Sequence, residues 1–60
     1  MREIYHDLEG SHASIITYAS GSARLVIRDA TGKITFSWNY KSRRNAIIGM
    51  NRRSEHWRRC

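Results

Sequence analysis

A chain of 60 residues with 11 Lys and Arg but only five Asp and Glu carries a formal net charge of +6 at pH 7. This length allows a single domain over residues 1–60 with a marginal core, and the one cysteine excludes an internal disulfide. No apolar run approaches the roughly 20 residues of a membrane span, and no signal-peptide core follows the N-terminus. We therefore expect a cytoplasmic protein of a bacterial or phage-infected bacterial cell, without a membrane partner.

The N-terminal segment, residues 1–11, fits two structures. Ile4 and Leu8 have the i,i+4 spacing of a helical turn, whereas residues 3–6 could equally form a strand. Gly10 ends whichever element precedes it. The sequence leaves this segment open between helix and strand.

Period-2 patterns predict an antiparallel β-meander over residues 13–40. Its first strand covers residues 14–19, and residues 23–28 and 33–40 alternate apolar with polar side chains. Glycine-containing turns join the strands, because glycine tolerates a positive φ. The apolar sheet face is expected to hold Leu25, Ile27, Ile34, Phe36 and Trp38. The opposite, outward face is expected to hold Arg24, Val26, Arg28, Lys33, Thr35, Ser37 and Asn39.

From Ser42 onward the apolar period changes to 3.6 residues, which predicts a basic amphipathic helix over residues 42–59 with Ser42 as its N-cap. Ala46, Ile47, Met50, Ser54 and Trp57 share its apolar face. Lys41, Arg44, Arg52 and Arg59 form a basic stripe opposite. Gly49 costs about 1 kcal/mol inside a helix, so we expect its small size to serve close packing. The predicted fold class is α+β, with a three-stranded antiparallel meander packed against one C-terminal helix.

Residues 16–50 resemble the small YegP-like domain of unknown function. The shared pattern is a strand, a turn at Gly21, a second strand, a turn at Gly32 followed by a charged residue, a third strand, and a Tyr-x-Ser-basic entry into a helix at residues 40–43. The resemblance implies a β-β-β-α fold and a tendency to dimerise. It assigns no chemistry.

The arrangement is also similar to the arm-type DNA-binding domain at the N-terminus of phage integrases. That domain is a three-stranded sheet backed by a helix, and the basic face of its strands enters the major groove. Arg24, Arg28 and Lys33 occupy the corresponding outward face here. The resemblance implies contact with duplex DNA.

The basic residues concentrate toward the C-terminus, where seven of the 11 lie in the last twenty residues and only Glu55 opposes them. Clustered arginines neutralise phosphates and release their counterions. We therefore expect a nucleic-acid-binding protein encoded by a phage or mobile element, with DNA favoured over RNA. The expected contacts are Lys41, Arg44, Arg52 and Arg59 from the helix and Arg24, Arg28, Lys33 and Asn39 from the sheet.

Other interpretations stay open. The basic stripe could be an ordinary solvated face, and Ile48 within it favours a protein-interaction module, an inhibitor or adaptor, that docks on an acidic host protein. A short chain without disulfides also suggests a homodimer, which could be purely structural. Trp38 and Tyr40 could stack on bases, but their alternation with polar residues favours core positions, with Tyr40 at the strand end as the exception.

Metal and catalytic sites have little support. The chain has His6, His12, His56 and Cys60, whose spacing matches no short zinc motif. The glycines are isolated, so no phosphate-binding loop is present. Acid–base cleavage of RNA by the histidines stays an alternative. We expect no enzyme activity, no cofactor and no metal.

Overall fold

The computed structural model describes residues 1–54 and 56–60. Its elements, in chain order, are β1 (Arg2–His6), β2 (His12–Thr17), β3 (Ala23–Arg28), β4 (Ile34–Tyr40), α1 (Arg43–Arg53) and β5 (Arg58–Arg59). The strands form one antiparallel sheet in the order β4-β3-β2-β1-β5. The α+β class is confirmed, but the sheet has five strands instead of the predicted three.

The N-terminal segment contributes a strand rather than a helical turn. In β1, Glu3 pairs with Ile15 of β2, and Tyr5 pairs with Ala13. Ile4 consequently projects to the other side of the sheet and is 39% exposed. The sequence pattern did not single out this strand, because a core-facing position of β1 is occupied by the charged residue Glu3.

The helix is shorter than the predicted 42–59. Ser42 is its N-cap, as predicted, and accepts a hydrogen bond from the Asn45 N–H at 3.2 Å. At the other end, Ser54 has extended backbone and its N–H donates to the Met50 carbonyl. Arg58 and Arg59 lie on the sheet instead, where β5 pairs with the edge of β1 that β2 leaves free. With eleven residues, α1 is too short to cross a membrane, and no helix that could do so occurs in the described part of the chain.

The core lies between α1 and one face of the sheet, here called the inner face. Its buried apolar residues are Ala13, Ile15, Ala23, Leu25, Ile27, Ala46 and Met50. Two residues predicted to face the helix are instead exposed, Ile34 at 49% and Trp38 at 62%. A register shift beside Ile27 aligns Ile34 with Arg28, which projects to the other face. Trp38 lies on β4, the edge strand of the sheet.

Candidate nucleic-acid interface

The helix packs against the inner face, so the opposite face of the sheet, here called the open face, stays uncovered. Residues paired directly across antiparallel strands project to the same side. One row across four strands is Arg2, Ile16, Arg24 and Asn39, and another is Arg58, His6, His12 and Arg28. Ile4, Ser14, Val26 and Ser37 lie between these rows. The open face therefore has small and apolar side chains at its centre and cations toward its ends.

No carboxylate from the strands projects onto the open face. Glu3 is the only acidic residue within a strand, and it points to the inner face. Asp7 and Asp29 lie in turns, where each carboxylate accepts backbone N–H bonds, from Glu9 and Ser11 in the first turn. Glu3, Asp7 and Asp29 thus serve the fold, and the strands place no carboxylate on the open face.

Two arginines of the open face are held in place by polar contacts. The Arg24 Nε and Nη2 donate to the Ser37 hydroxyl at 3.2 and 3.1 Å, and the Arg28 Nη1 donates to the Gly32 carbonyl at 3.0 Å. Both residues are exposed. A guanidinium has five N–H donors, so each arginine keeps donors for a ligand while its position is restricted.

Lys33 lies in the turn that precedes β4 rather than on the outward strand face as predicted. The Asp29 carboxylate organises this turn by accepting from the Thr31 hydroxyl at 2.6 Å and from the Lys33 N–H at 3.0 Å. These bonds, that from the Thr31 hydroxyl first, lower the pKa of Asp29. Asn39, by contrast, is exposed on β4 directly opposite Arg24. Of the four predicted sheet contacts, Arg24, Arg28 and Asn39 share one face and Lys33 lies at its end.

The predicted basic stripe of the helix is divided. Arg44 and Arg52 are exposed on α1, and Lys41 is exposed just before the helix begins. Arg59 does not continue the stripe, because it lies in β5, where its Nη1 is 3.7 Å from the Glu3 carboxylate. We call Lys41, Arg44 and Arg52 the helix-side cations; they lie on the opposite side of the molecule from the open face.

Arg43 has a structural partner that the sequence did not reveal. Its guanidinium donates to both carboxylate oxygens of Glu3, at 2.5 and 2.7 Å, and the Tyr5 hydroxyl donates to the same carboxylate at 3.0 Å. The side chain of Glu3 is fully buried. The hydrogen bonds from Arg43, above all, lower the pKa of Glu3 to about 2. Arg43 and Arg59 are therefore occupied by Glu3.

The remaining cations are unpaired as far as residues 1–54 and 56–60 show. Nine of the 11 Lys and Arg side chains form no ion pair with a described residue. One of these nine, Arg53, stacks on the Phe36 ring, with its guanidinium carbon 3.8 Å from the ring centroid. Exposed arginines that have no carboxylate partner among the described residues are the main electrostatic feature of the surface.

The aromatic residues are arranged differently from the prediction. Tyr40, expected to be the exposed aromatic, is half-buried and packs against Gly49. Trp38, expected in the core, is exposed, although it pairs with Leu25 and so projects to the inner face. The sequence did indicate that Trp38 lies on the last strand of the meander. Such an edge strand has a neighbouring strand on one side only, so its side chains are more often exposed.

Four further residues of the open face were not predicted from the sequence, namely Arg2, His6, His12 and Arg58. Two of them, Arg2 and His6, lie on β1 and share a face with Ile4. Arg2, Ile4 and His6 follow one another at intervals of two residues, which places them on one face of a strand. This spacing predicts a shared face only once β1 is known to be a strand. Arg58 lies on β5, inside the segment predicted to be helical.

Two of the residues considered for metal binding lie together. The His6 Nδ1 is 3.2 Å from the Cys60 Sγ, and His12 is paired with His6 in the sheet. Within the described residues, no three His, Cys, Asp or Glu side chains lie close enough to hold a metal ion.

Comparisons of this chain with protein-family models, with curated proteins and with solved structures found no match. The resemblances to the YegP-like and integrase arm-type domains stay predictions.

Proposed function

We propose that this protein binds nucleic acid, with DNA as the expected partner, by neutralising phosphates with its unpaired arginines. The observation that carries the proposal is that nine of the 11 cationic side chains form no ion pair with a described residue. Arginine suits this role because its planar guanidinium binds phosphate oxygens through two parallel hydrogen bonds. Clustered cations on a 60-residue chain also release counterions from a polyanion, which favours binding at low salt.

We place the main contact surface on the open face of the sheet. Arg2 and Arg24 are two strands apart, so their backbones are separated by roughly 10 Å, and Arg24 and Arg28 are separated by roughly 13 Å along β3. This spread allows contacts with several phosphates. The uncharged side chains between the cations, which include Ser14 and Ser37, leave the centre of this face open to a nucleic-acid backbone. Arg24 and its neighbour Asn39 also have the donors that suit guanine and adenine edges.

The helix-side cations form a second, smaller surface. Lys41, Arg44 and Arg52 lie across the molecule from the open face, so one straight duplex cannot contact both surfaces at once. We expect the helix side to add to non-specific attraction rather than to form the main site. This differs from the prediction that the helix is the principal contact, because Arg59, one of the four predicted helix contacts, belongs to β5 and lies near Glu3.

Two matched double variants distinguish the surfaces. Each of R24A/R28A and R44A/R52A removes two positive charges, and each would be titrated against a labelled DNA duplex by fluorescence polarisation over a series of salt concentrations. We expect R24A/R28A to reduce the slope of log K against log salt by about 2, and R44A/R52A to change it by less. Absence of binding by the wild type at low salt, or binding that ignores salt, would overturn the proposal. The reverse order of the two variants would move the site to the helix.

The alternative function is a protein-interaction module that docks on an acidic host protein. The observation that favours it is Ile48, which is 45% exposed in a shallow depression lined also by Tyr40, Arg52 and Arg53. A pull-down from nuclease-treated bacterial lysate with wild type and I48D tests this. A stoichiometric protein that is retained by the wild type and lost with I48D would support the alternative.

A further inference from the structure

Two histidines lie side by side near one end of the open face. His6 of β1 pairs directly with His12 of β2, and the same row continues to Arg58 on β5 and to Arg28 on β3. All four residues are exposed. We call these four residues the histidine row. Because neighbouring strands lie about 4.8 Å apart, the row extends for roughly 14 Å across the sheet.

The acidic residues that follow β1 and β3 in the chain are engaged in turns. Asp7 accepts hydrogen bonds from two backbone N–H groups of its own turn at 3.0 and 2.9 Å, and Asp29 does the same in the turn after β3. The described strands place no carboxylate on the open face. A proton taken up by His6 or His12 consequently adds a positive charge that no carboxylate of these strands cancels.

The groups that face the two histidines are cationic or neutral. His6 has Arg58 on one side and His12 on the other, and its Nδ1 lies 3.2 Å from the Cys60 Sγ. His12 has Arg28 on its other side. The contact with Cys60 engages one ring nitrogen of His6, so a ligand can bind the Nε2. A protonated imidazole donates from both nitrogens, which makes the protonated row a set of hydrogen-bond donors suited to an anion.

We propose that the histidine row is a phosphate-binding subsite that acts when His6 and His12 are protonated, an inference that rests on the proposed nucleic-acid binding. Histidine is the side chain whose charge ordinarily changes between about pH 5 and pH 8. With both rings protonated the row presents four adjacent cations, whereas only the two arginines stay charged at high pH. A bound phosphate and the ring protons stabilise each other, because opposite charges a few ångströms apart attract. The contribution of this subsite to affinity therefore rises as the pH falls.

Phosphate is the ligand class that this chemistry favours. Charged donors suit an oxyanion, and the row is long enough to meet more than one phosphate of a nucleic-acid strand, whose charges recur every roughly 3.4 Å of helix axis. A metal ion would need neutral imidazoles and would be repelled by Arg28 and Arg58. Among residues 1–54 and 56–60, moreover, no three His, Cys, Asp or Glu side chains are close enough to bind a metal ion.

Titration of DNA at two pH values tests the subsite. The probe is a DNA duplex with a pH-insensitive rhodamine label, and fluorescence polarisation follows its binding over a salt series at about pH 5.5 and about pH 8. Both values lie above the range in which Glu3 takes up its proton, so loss of the Glu3–Arg43 pair does not enter the comparison. We expect the slope of log K against log salt to be steeper by about 1.8 at the lower pH, since each additional phosphate contact contributes about 0.9. At about 0.1 M salt the affinity should be roughly tenfold higher at the lower pH.

The three histidines of the chain provide matched variants. H6Q/H12Q removes both titrating rings of the row, whereas H56Q removes the third histidine, which is exposed and lines a separate depression with Asp7 and Glu9. We expect H6Q/H12Q to bind DNA like the wild type at high pH and to lose the gain in affinity at low pH. H56Q should keep that gain. Circular dichroism verifies that each variant is folded at both pH values.

Failure of this inference is distinguishable from failure of the proposed function. Salt-dependent binding by the wild type with equal slopes and affinities at the two pH values would remove the subsite and leave nucleic-acid binding intact. A gain at low pH that H6Q/H12Q retains, or that H56Q loses, would assign the pH dependence to other groups and overturn the inference as well. No binding by the wild type at low salt at either pH would end both proposals.

Discussion

Arg43 in the first turn of α1 forms a two-point ion pair with Glu3 of β1, 40 residues earlier in the chain. The pair ties the start of the helix to the sheet across the inner face. It also compensates an unfavourable placement, because α1 has no acidic residue in its first turn and a cation there opposes the helix dipole. A buried carboxylate is tolerated when it is paired and hydrogen-bonded, and Arg43, Tyr5 and Arg59 surround this one.

Glu3→Gln should lower the free energy of unfolding at pH 7 by about 3 kcal/mol. The variant keeps the shape of the side chain but removes the charge that accepts both Arg43 bonds, and loss of a buried charged partner has a cost of this order. Urea denaturation followed by circular dichroism measures the change. Glu9→Gln, at an exposed acid in the first turn, is the control and should change stability by less than about 0.5 kcal/mol. A change for Glu3→Gln as small as the control would show that the ion pair contributes little.

The stability of the wild type should fall between pH 4.5 and pH 2. The pKa of Glu3 is lowered from 4.5 to about 2 in the folded protein, so the unfolded chain binds the proton more tightly. The stabilising contribution is complete above pH 4.5 and is lost as the pH falls toward 2. Urea midpoints over this range should decline more steeply for the wild type than for Glu3→Gln. Parallel declines would indicate that other carboxylates control acid unfolding.

Gly49→Ala should destabilise the protein by about 1 kcal/mol, although alanine is normally the better helix former. A Cβ at this position would lie 2.7 Å from the Tyr40 Cζ and also collide with its hydroxyl. In a Tyr40→Ala background the obstacle is gone, and the same change should stabilise by up to about 1 kcal/mol. Thermal unfolding of the four proteins measures this cycle. Stabilisation by Gly49→Ala in the wild-type background would contradict the close contact.

Replacement by phenylalanine should destabilise the protein at Trp57 and have little effect at Trp38. Trp57→Phe removes the 2.8 Å bond from the indole Nε1 to the Met50 carbonyl and should cost about 1 kcal/mol. Trp38→Phe changes an exposed side chain and should alter stability by less than about 0.5 kcal/mol. Urea unfolding monitored by far-ultraviolet circular dichroism compares them without relying on indole emission. A larger loss for Trp38→Phe would mean that Trp38 supports the core.

Which residues share the open face depends largely on strand pairings that no local sequence pattern predicts. The sequence predicted Arg24, Arg28 and Asn39 as one polar face because residues on two strands of a hairpin alternate with a period of two. It did not predict that Arg2 and Arg58 join them, since that requires β1 to pair with β2 and β5 to pair with β1. The exposure of Trp38 likewise depends on where the helix lies over the sheet.

The amino-acid order by itself determined the elements whose signals are local: the three strands of the meander, their glycine turns, and the Ser42 cap. Alternation, turn chemistry and capping act between residues a few positions apart, so they can be read from the chain. Tertiary structure alone decided that Glu3 points inward, and that Arg58 and Arg59 pair with the sheet edge instead of extending the helix. The Glu3 carboxylate can be buried only because Arg43, 40 residues away, pairs with it. Arg58 and Arg59 form strand hydrogen bonds with the free edge of β1, although their spacing also fits a helix.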